Sequence, residues 1–379
     1  MPTFSETLDT LRLSGNLRRI PVPESGNACL DLSSNDYLGL AARPELQEEF
    51  LACESNRKSP LTASASRLLA SEQSEFYRLE TLLSDLYGRQ ALLFNSGYHA
   101  NTGTVSAIAG DGATMIVADK LVHASIIDGI VLSRAPFARF PHNDTVRLER
   151  ILRKHADEYE RILVVVESVY SMDGDTCDLD ALIDLKNRFP NVMLYVDEAH
   201  AFGVLGDHGL GLVRSNPRHE QVDIIVGTLG KAAASSGAFV ITHGDIREYL
   251  VNRARSFIFS TAIPPMTCRW SRYMIEKIVD MDEERAHLQR IARETAALLT
   301  PYSSGTVRPS HIMPLIIGDA AHTVEISRRM LDHGVKVLPI RTPTVPPGTE
   351  RLRFSLSAAL TDSDLQLVRD ALAATLHSL

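Results

Sequence analysis

Six short runs of apolar, mostly β-branched residues, spaced by helix-length segments, constrain this chain more than any other feature. They are ALLF (91–94), MIVA (115–118), ILVVVE (162–167), VMLYVD (192–197), DIIVG (223–227) and AFVIT (238–242). None alternates polar with apolar residues, so each suits a strand covered by helices on both faces of a mostly parallel sheet. The segments between them, such as 145–157 and 179–188, have the length of crossover helices. A further stretch, 73–87, places Phe76, Leu79, Leu82, Leu83 and Leu86 on one side of a helix.

The rhythm changes after about residue 295. MPLIIG (313–318), a helix near 322–333, VKVLPI (335–340), RLRFSL (351–356) and a closing helix from about 362 predict a smaller α+β domain. A Pro- and Thr-rich loop, RTPTVPPGTE (341–350), interrupts it. The expected organisation is an N-terminal arm over 1–40, a large α/β domain over 41–290 and a small C-terminal domain over 291–379. A length of 379 residues suits a chain with more than one core.

Composition narrows the function classes. Hydrophobic residues at 44% and charged residues at 23% mark an ordinary globular chain. A net charge of −8 argues against a general nucleic-acid binder. Cys29, Cys53, Cys177 and Cys268 are scattered and form no metal-ligand spacing, so neither a disulfide framework nor a metal site is expected. Glu6 and Asp9 stand where a signal peptide would be apolar, and no apolar run is long enough to span a bilayer. The expectation is a soluble, cytoplasmic protein without a membrane or nucleic-acid partner.

Four segments carry chemistry. In VDEAHAFG (196–203), Asp197 ends a strand that should be buried, and a buried carboxylate is costly unless it meets a cation. A turn-capping Asp197 is the plainer alternative, and His200 is as open between a structural and a binding role. In VGTLGKAAASSGAFV (226–240), a strand delivers Thr228, Gly230 and Lys231 into a run of small residues that lets a flat group approach the backbone. A lysine in such a setting can serve as an amine nucleophile. In LLFNSGYHANTG (92–103), a helix predicted to start near His99 to Asn101 follows the Ser96-Gly97-Tyr98 turn, whose amides suit a phosphate. DKLVHAS (119–125) and ESVYSMDGD (167–175) follow strand ends, where His123 could stack on a ring and Ser171 could donate to a ring oxygen. Taken singly, these last two residues are more often structural.

Together these segments resemble the fold-type I enzymes that use pyridoxal 5′-phosphate (PLP), and more narrowly the α-oxoamine synthases. The resemblance runs from about Leu17 to the C-terminus through SSNDYLGLA (33–41), NSGYHAN (95–101), DKLVHAS, SVYSMDGD (168–175), VDEAHAFGVLG (196–206), GTLGKA (227–232), FSTAIPP (259–265) and RLRFSLSAA (351–359). It implies a PLP-dependent transferase with a large, mostly parallel sheet domain and a smaller α+β domain. By this resemblance Lys231 would hold PLP as a Schiff base and Asp197 would pair with its pyridine nitrogen. His123 would stack on the ring, with Ser171 and His200 near its phenolic oxygen. Gly97, Tyr98 and Thr228 would serve the phosphate. Ser260 and Thr261 match a stretch that reaches the phosphate of a neighbouring subunit, which implies a homodimer. Asn35 and Arg353 would bind the substrate carboxylate, and Arg18 would face the acyl-donor site.

HNDTVRLERIL (142–152) and PTVPPGTERLRFSLSA (343–358) are most similar to family members that join L-alanine to a pimeloyl thioester of CoA or a carrier protein. Relatives that use glycine and acetyl-CoA, serine palmitoyltransferase, and more remotely an aminotransferase, are the alternatives. The chain departs from the family in LTASASRLLASEQSEF (61–76), where Ser and Ala replace glycines and Phe76 stands where His is common. That departure bears on the width of the donor pocket.

Overall fold

The computed structural model describes residues 2–18, 20 and 29–376. The chain divides into two compact units. One comprises residues 38–170 and 176–285, the other residues 1–37, 171–175 and 286–379.

The first unit is built on a seven-stranded sheet. Its strands are β1 (Gln90–Phe94), β2 (Thr114–Asp119), β3 (Phe137–Phe140), β4 (Arg161–Glu167), β5 (Val192–Asp197), β6 (Ile224–Thr228) and β7 (Ala238–Thr242). They lie in the order β1-β7-β6-β5-β4-β2-β3. All neighbouring pairs are parallel except those of β7, which runs against both β1 and β6. Six strand ends therefore open at one edge of the sheet, where ligands of parallel α/β sheets collect. Ile162 to Val166 of β4 are no more than 2% exposed, and each such side chain contributes about 2 kcal/mol by leaving water. That burial on both faces is what the unbroken apolar runs predict. The edge strand β3 escapes the pattern, because FARF mixes an exposed Phe137 with a charge.

Helices cover the sheet, including α1 (Ser74–Tyr87), α2 (Gly97–Ala109), α3 (Ala124–Ser133), α4 (Thr145–His155) and α5 (Leu179–Arg188). Caps set their starts. Ser96 Oγ accepts from the His99 amide, so α2 begins at Gly97, two residues before the expected start. His123 caps α3, and Asp144 and Asp178 cap α4 and α5. Gly129 lets α3 lie close on α2: a Cβ there would stand 2.9 Å from Val105 Cβ and 3.2 Å from the Asn101 carbonyl oxygen.

The second unit holds a three-stranded antiparallel sheet of β8 (Ile312–Ile316), β9 (Leu338–Ile340) and β10 (Arg351–Ser355), with β10 in the middle. Helices Ala320–Asp332 and Asp362–Leu376 accompany it, so its make-up is α+β. The expected strand 335–340 is divided between two ladders. Val335–Lys336 pairs with Leu30–Asp31, whereas Leu338–Ile340 pairs with β10. The carbonyl of Val337, between them, accepts from Ser327 Oγ at 2.7 Å, which takes it out of either ladder. Among the described residues, no helix is long and apolar enough to cross a membrane.

Candidate active site

The carboxyl ends of the sheet strands deliver side chains into one cavity of about 170 Å³ in the first unit. Strand β1 leads to Gly97 and Tyr98 at the start of α2, β2 leads to His123, and β6 leads to Thr228 and Lys231. Strands β4 and β5 end in register at Glu167 and Asp197. His200 follows three residues after Asp197, and all of these residues line the cavity.

Asp197 is 4% exposed, and its two oxygens are held by neutral donors. Oδ2 accepts from Asn101 Nδ2 at 2.7 Å, and Oδ1 accepts from the Ala199 amide at 2.8 Å. A carboxylate fixed in this way keeps lone-pair directions for a cation entering the cavity. Lys231 Nζ lies 2.8 Å from His200 Nε2. Burial lowers the pKa of His123, and the Lys231 charge adds to that, while Asp197 and Asp128 oppose it. Burial drives Glu167 well above the usual carboxylate range, and the neighbouring Asp197 pushes it further. A raised carboxyl pKa of this kind is expected when two carboxylates share a buried space.

The other expected residues are placed as follows. Thr228 lines the cavity, with its hydroxyl donating to the Gly237 carbonyl at 3.2 Å. The Tyr98 side chain is half exposed, and its hydroxyl bonds to Asp128. Ser260 and Thr261 are not among the residues lining this cavity. Thr261 forms an antiparallel bridge with Ser66, and its carbonyl accepts from Asn95 Nδ2.

Arg353, Asn35, Ser171 and Arg18 belong to the second unit. Arg353 is 3% exposed in the central strand β10. Its Nε donates to the Ser171 carbonyl at 2.6 Å, and its two terminal nitrogens donate to Asn35 Oδ1 at 3.3 and 3.2 Å. These neutral oxygens orient the guanidinium without cancelling its charge. The Arg18 guanidinium is exposed and donates to Thr344 Oγ1 at 2.9 Å.

Sequence reasoning passed over Asn101 and Glu167 as site residues. The signal for Glu167 was a carboxylate closing an otherwise apolar strand run, the same signal that singled out Asp197. Asn101 lay inside a quoted motif, yet nothing in the sequence shows which helix face its amide takes.

The cavity fits PLP. Lys231 offers the amine for a Schiff base, and Asp197 offers a buried carboxylate for the pyridine nitrogen. The first-turn amides of α2, which have no acceptor within the helix, suit a phosphate. A lysine and a buried aspartate at the strand ends of such a sheet define a fold-type I PLP enzyme. Residues 27–372 match the family described as aminotransferase class I and II. The chain belongs to that family and, within it, to the α-oxoamine synthases.

Its relatives point the same way. The 8-amino-7-oxononanoate synthase of Haemophilus ducreyi is 43% identical over 382 residues, covering 96% of this chain and 98% of that one. The solved 8-amino-7-oxononanoate synthase of Francisella tularensis superposes with a TM-score of 0.75 at 27% identity, over 93% of this chain and 99% of the other. An SPT structure with PLP superposes with a TM-score of 0.85 at 29% identity, over 93% and 89% of the two chains.

Proposed function

We propose that this enzyme condenses L-alanine with a pimeloyl thioester, of CoA or of a carrier protein, to give 8-amino-7-oxononanoate, CO2 and free thiol. This places it in biotin biosynthesis. The observation that carries the reading is the pairing of Lys231 and buried Asp197 in one cavity of a chain 43% identical to a synthase of that name. Bound PLP supplies an electron sink for the charge that develops at the amino-acid Cα.

The residues divide the work. Asp197 would hold the pyridine nitrogen of bound PLP in its protonated form. Lys231 Nζ takes the Cα proton and later returns one, as a general base and acid. His200 Nε2, 2.8 Å from that amine, is available to polarise the incoming thioester carbonyl. His123 would stack on the ring, and the Gly97 and Tyr98 amides would hold the phosphate, with Thr228 beside them. Ser171 would serve the phenolic oxygen. Arg353, oriented by Asn35, binds the amino-acid carboxylate, and Arg18 attracts the acyl donor.

A homodimer completes the reading, with Ser260 and Thr261 turned to the partner's phosphate. Leu61, Leu68, Leu69 and Phe259 are more than half exposed. The segments that carry them are tied together by the Ala262 amide to the Ala65 carbonyl at 2.9 Å. An apolar patch of this kind marks an interface. Four unpaired cysteines suit the reducing cytoplasm.

The SPT likeness has the higher TM-score, so serine palmitoyltransferase is the second reading. Spectra of the PLP-loaded protein with L-alanine, glycine and L-serine in turn, followed by pimeloyl-CoA with thiol release recorded, decide between them. A cofactor band that responds to alanine, followed by thiol release, is the expected result. A response to serine or glycine alone moves the assignment to a sister reaction.

A further inference from the structure

The Asp197 carboxylate and the His123 ring share one buried network. At its centre is Asn101, on α2 and 2% exposed. Its Nδ2 donates one proton to Asp197 Oδ2 at 2.7 Å and the other to Ser125 Oγ at 2.9 Å. Its Oδ1 accepts from the Tyr195 hydroxyl at 2.6 Å. In this orientation Nδ2 faces the Asp197 oxygen and Oδ1 faces the Tyr195 hydroxyl, so each of the three contacts pairs a donor with an acceptor. Burial, with the Asp197 charge added, pushes the Tyr195 phenol well above its usual pKa, so it keeps the proton it donates.

From Ser125 the network reaches the imidazole. Ser125 Oγ lies 2.7 Å from His123 Nδ1, and the Ser125 backbone amide donates to the same nitrogen at 3.2 Å. A backbone amide can only donate, so Nδ1 is the unprotonated nitrogen. Because Asn101 fills an acceptor site on Ser125 Oγ, the hydroxyl proton is also turned toward Nδ1. The remaining ring proton is left on Nε2.

We infer that Asn101 is a positioning residue: its amide fixes the Asp197 carboxylate and, through Ser125, holds His123 as the neutral Nε2–H tautomer. A cationic His123 would repel a protonated pyridine ring stacked against it. The network therefore keeps the positive charge on the ring and off the imidazole. The lowered pKa of His123 agrees with this arrangement. The inference rests on the cofactor reading of the cavity.

The test is nitrogen NMR of the histidine rings, with and without PLP, using His123→Gln to assign the signals. The expected result is an unprotonated Nδ1 and a protonated Nε2 for His123, with the Nδ1 signal shifted in Ser125→Ala, which loses the hydroxyl donor and keeps the backbone amide. In Asn101→Leu the PLP dissociation constant should rise about tenfold to a hundredfold, the range for losing a hydrogen bond to a charged group. A protonated Nδ1 in the unsubstituted protein overturns the inference, as does a His123 Nδ1 signal unmoved in Ser125→Ala. Unchanged PLP affinity in a folded Asn101→Leu protein overturns it too. Ser125→Ala keeps the tautomer test available if Asn101→Leu does not fold. Failure of the unsubstituted protein to bind PLP would instead sink the cofactor reading, and is thus told apart.

Discussion

In the cavity of the seven-stranded sheet, a buried carboxylate and a partly buried amine stand together. Asp197 and Lys231 line the same space, the Glu167 carboxyl is raised above its usual range, and the ring of His123 is held below its usual pKa. On the three-stranded sheet the arrangement is opposite. Arg353 is a buried cation whose hydrogen bonds to Asn35, Ser171 and Ser355 go to neutral oxygens. The first region has its countercharge within its walls, while the charge of the second is oriented by neutral oxygens alone and, on the proposed reading, would meet a substrate carboxylate. If the proposed roles hold, a site that grips a resident cofactor and a site that releases product would place different demands on burial, and the two regions differ in that sense.

Substitutions should separate the two regions. The largest loss is expected from Lys231→Ala, which removes both the anchor of PLP and the base. We expect kcat/KM to fall by about 10⁴, with PLP lost on dialysis. Retention of a dialysis-resistant cofactor band would refute the role of this lysine. Asp197→Asn leaves the shape but removes the charge. The rate should fall by about 10² to 10³, on the scale of losing an aimed electrostatic group, with weaker PLP binding measured by fluorescence. Arg353→Gln should act on the other region alone. The KM for the amino acid should rise about tenfold to a hundredfold, while the PLP spectrum stays as in the parent. A change in that spectrum equal to the change in Asp197→Asn would erase the distinction between the regions.

Much of the large sheet was legible because a strand buried on both faces must be apolar along its length, as ILVVVE and VMLYVD are up to their closing carboxylates. Strand β3 was not, since an edge strand is free to alternate. VKVLPI read as one strand because apolar character says nothing about which partner each half pairs with. Asp197 stood out because a carboxylate at the end of an apolar run needs a reason to be there, and Lys231 because it follows a strand into a run of small residues. Asn101, Ser125 and Tyr195 did not. Their hydrogen bonds join α2, α3 and β5, and such a meeting is set by helix packing at Gly129, not by local spacing.

The smallest effect concerns a carboxylate beside the first region that faces away from it. Asp197 lines the cavity, but Glu198, the next residue, sends Oε1 to the Leu212 and Val213 amides at 3.0 and 3.2 Å. Burial, against opposing hydrogen bonds from Ser168 and those amides, raises its pKa from the ordinary 4.5 to about 7. Between those values the native protein holds a proton that the unfolded chain releases. Stability linked to Glu198 is therefore complete below about pH 4.5 and is lost as pH rises through about 7. The full interval corresponds to about 3 kcal/mol. Glu198→Gln cannot ionise, so its urea midpoint should vary less across this window than that of the parent. An undiminished slope in Glu198→Gln would mean that another buried acid, with Glu167 first in line, governs the pH dependence. The cavity itself would then be the part of the fold that is sensitive to rising pH.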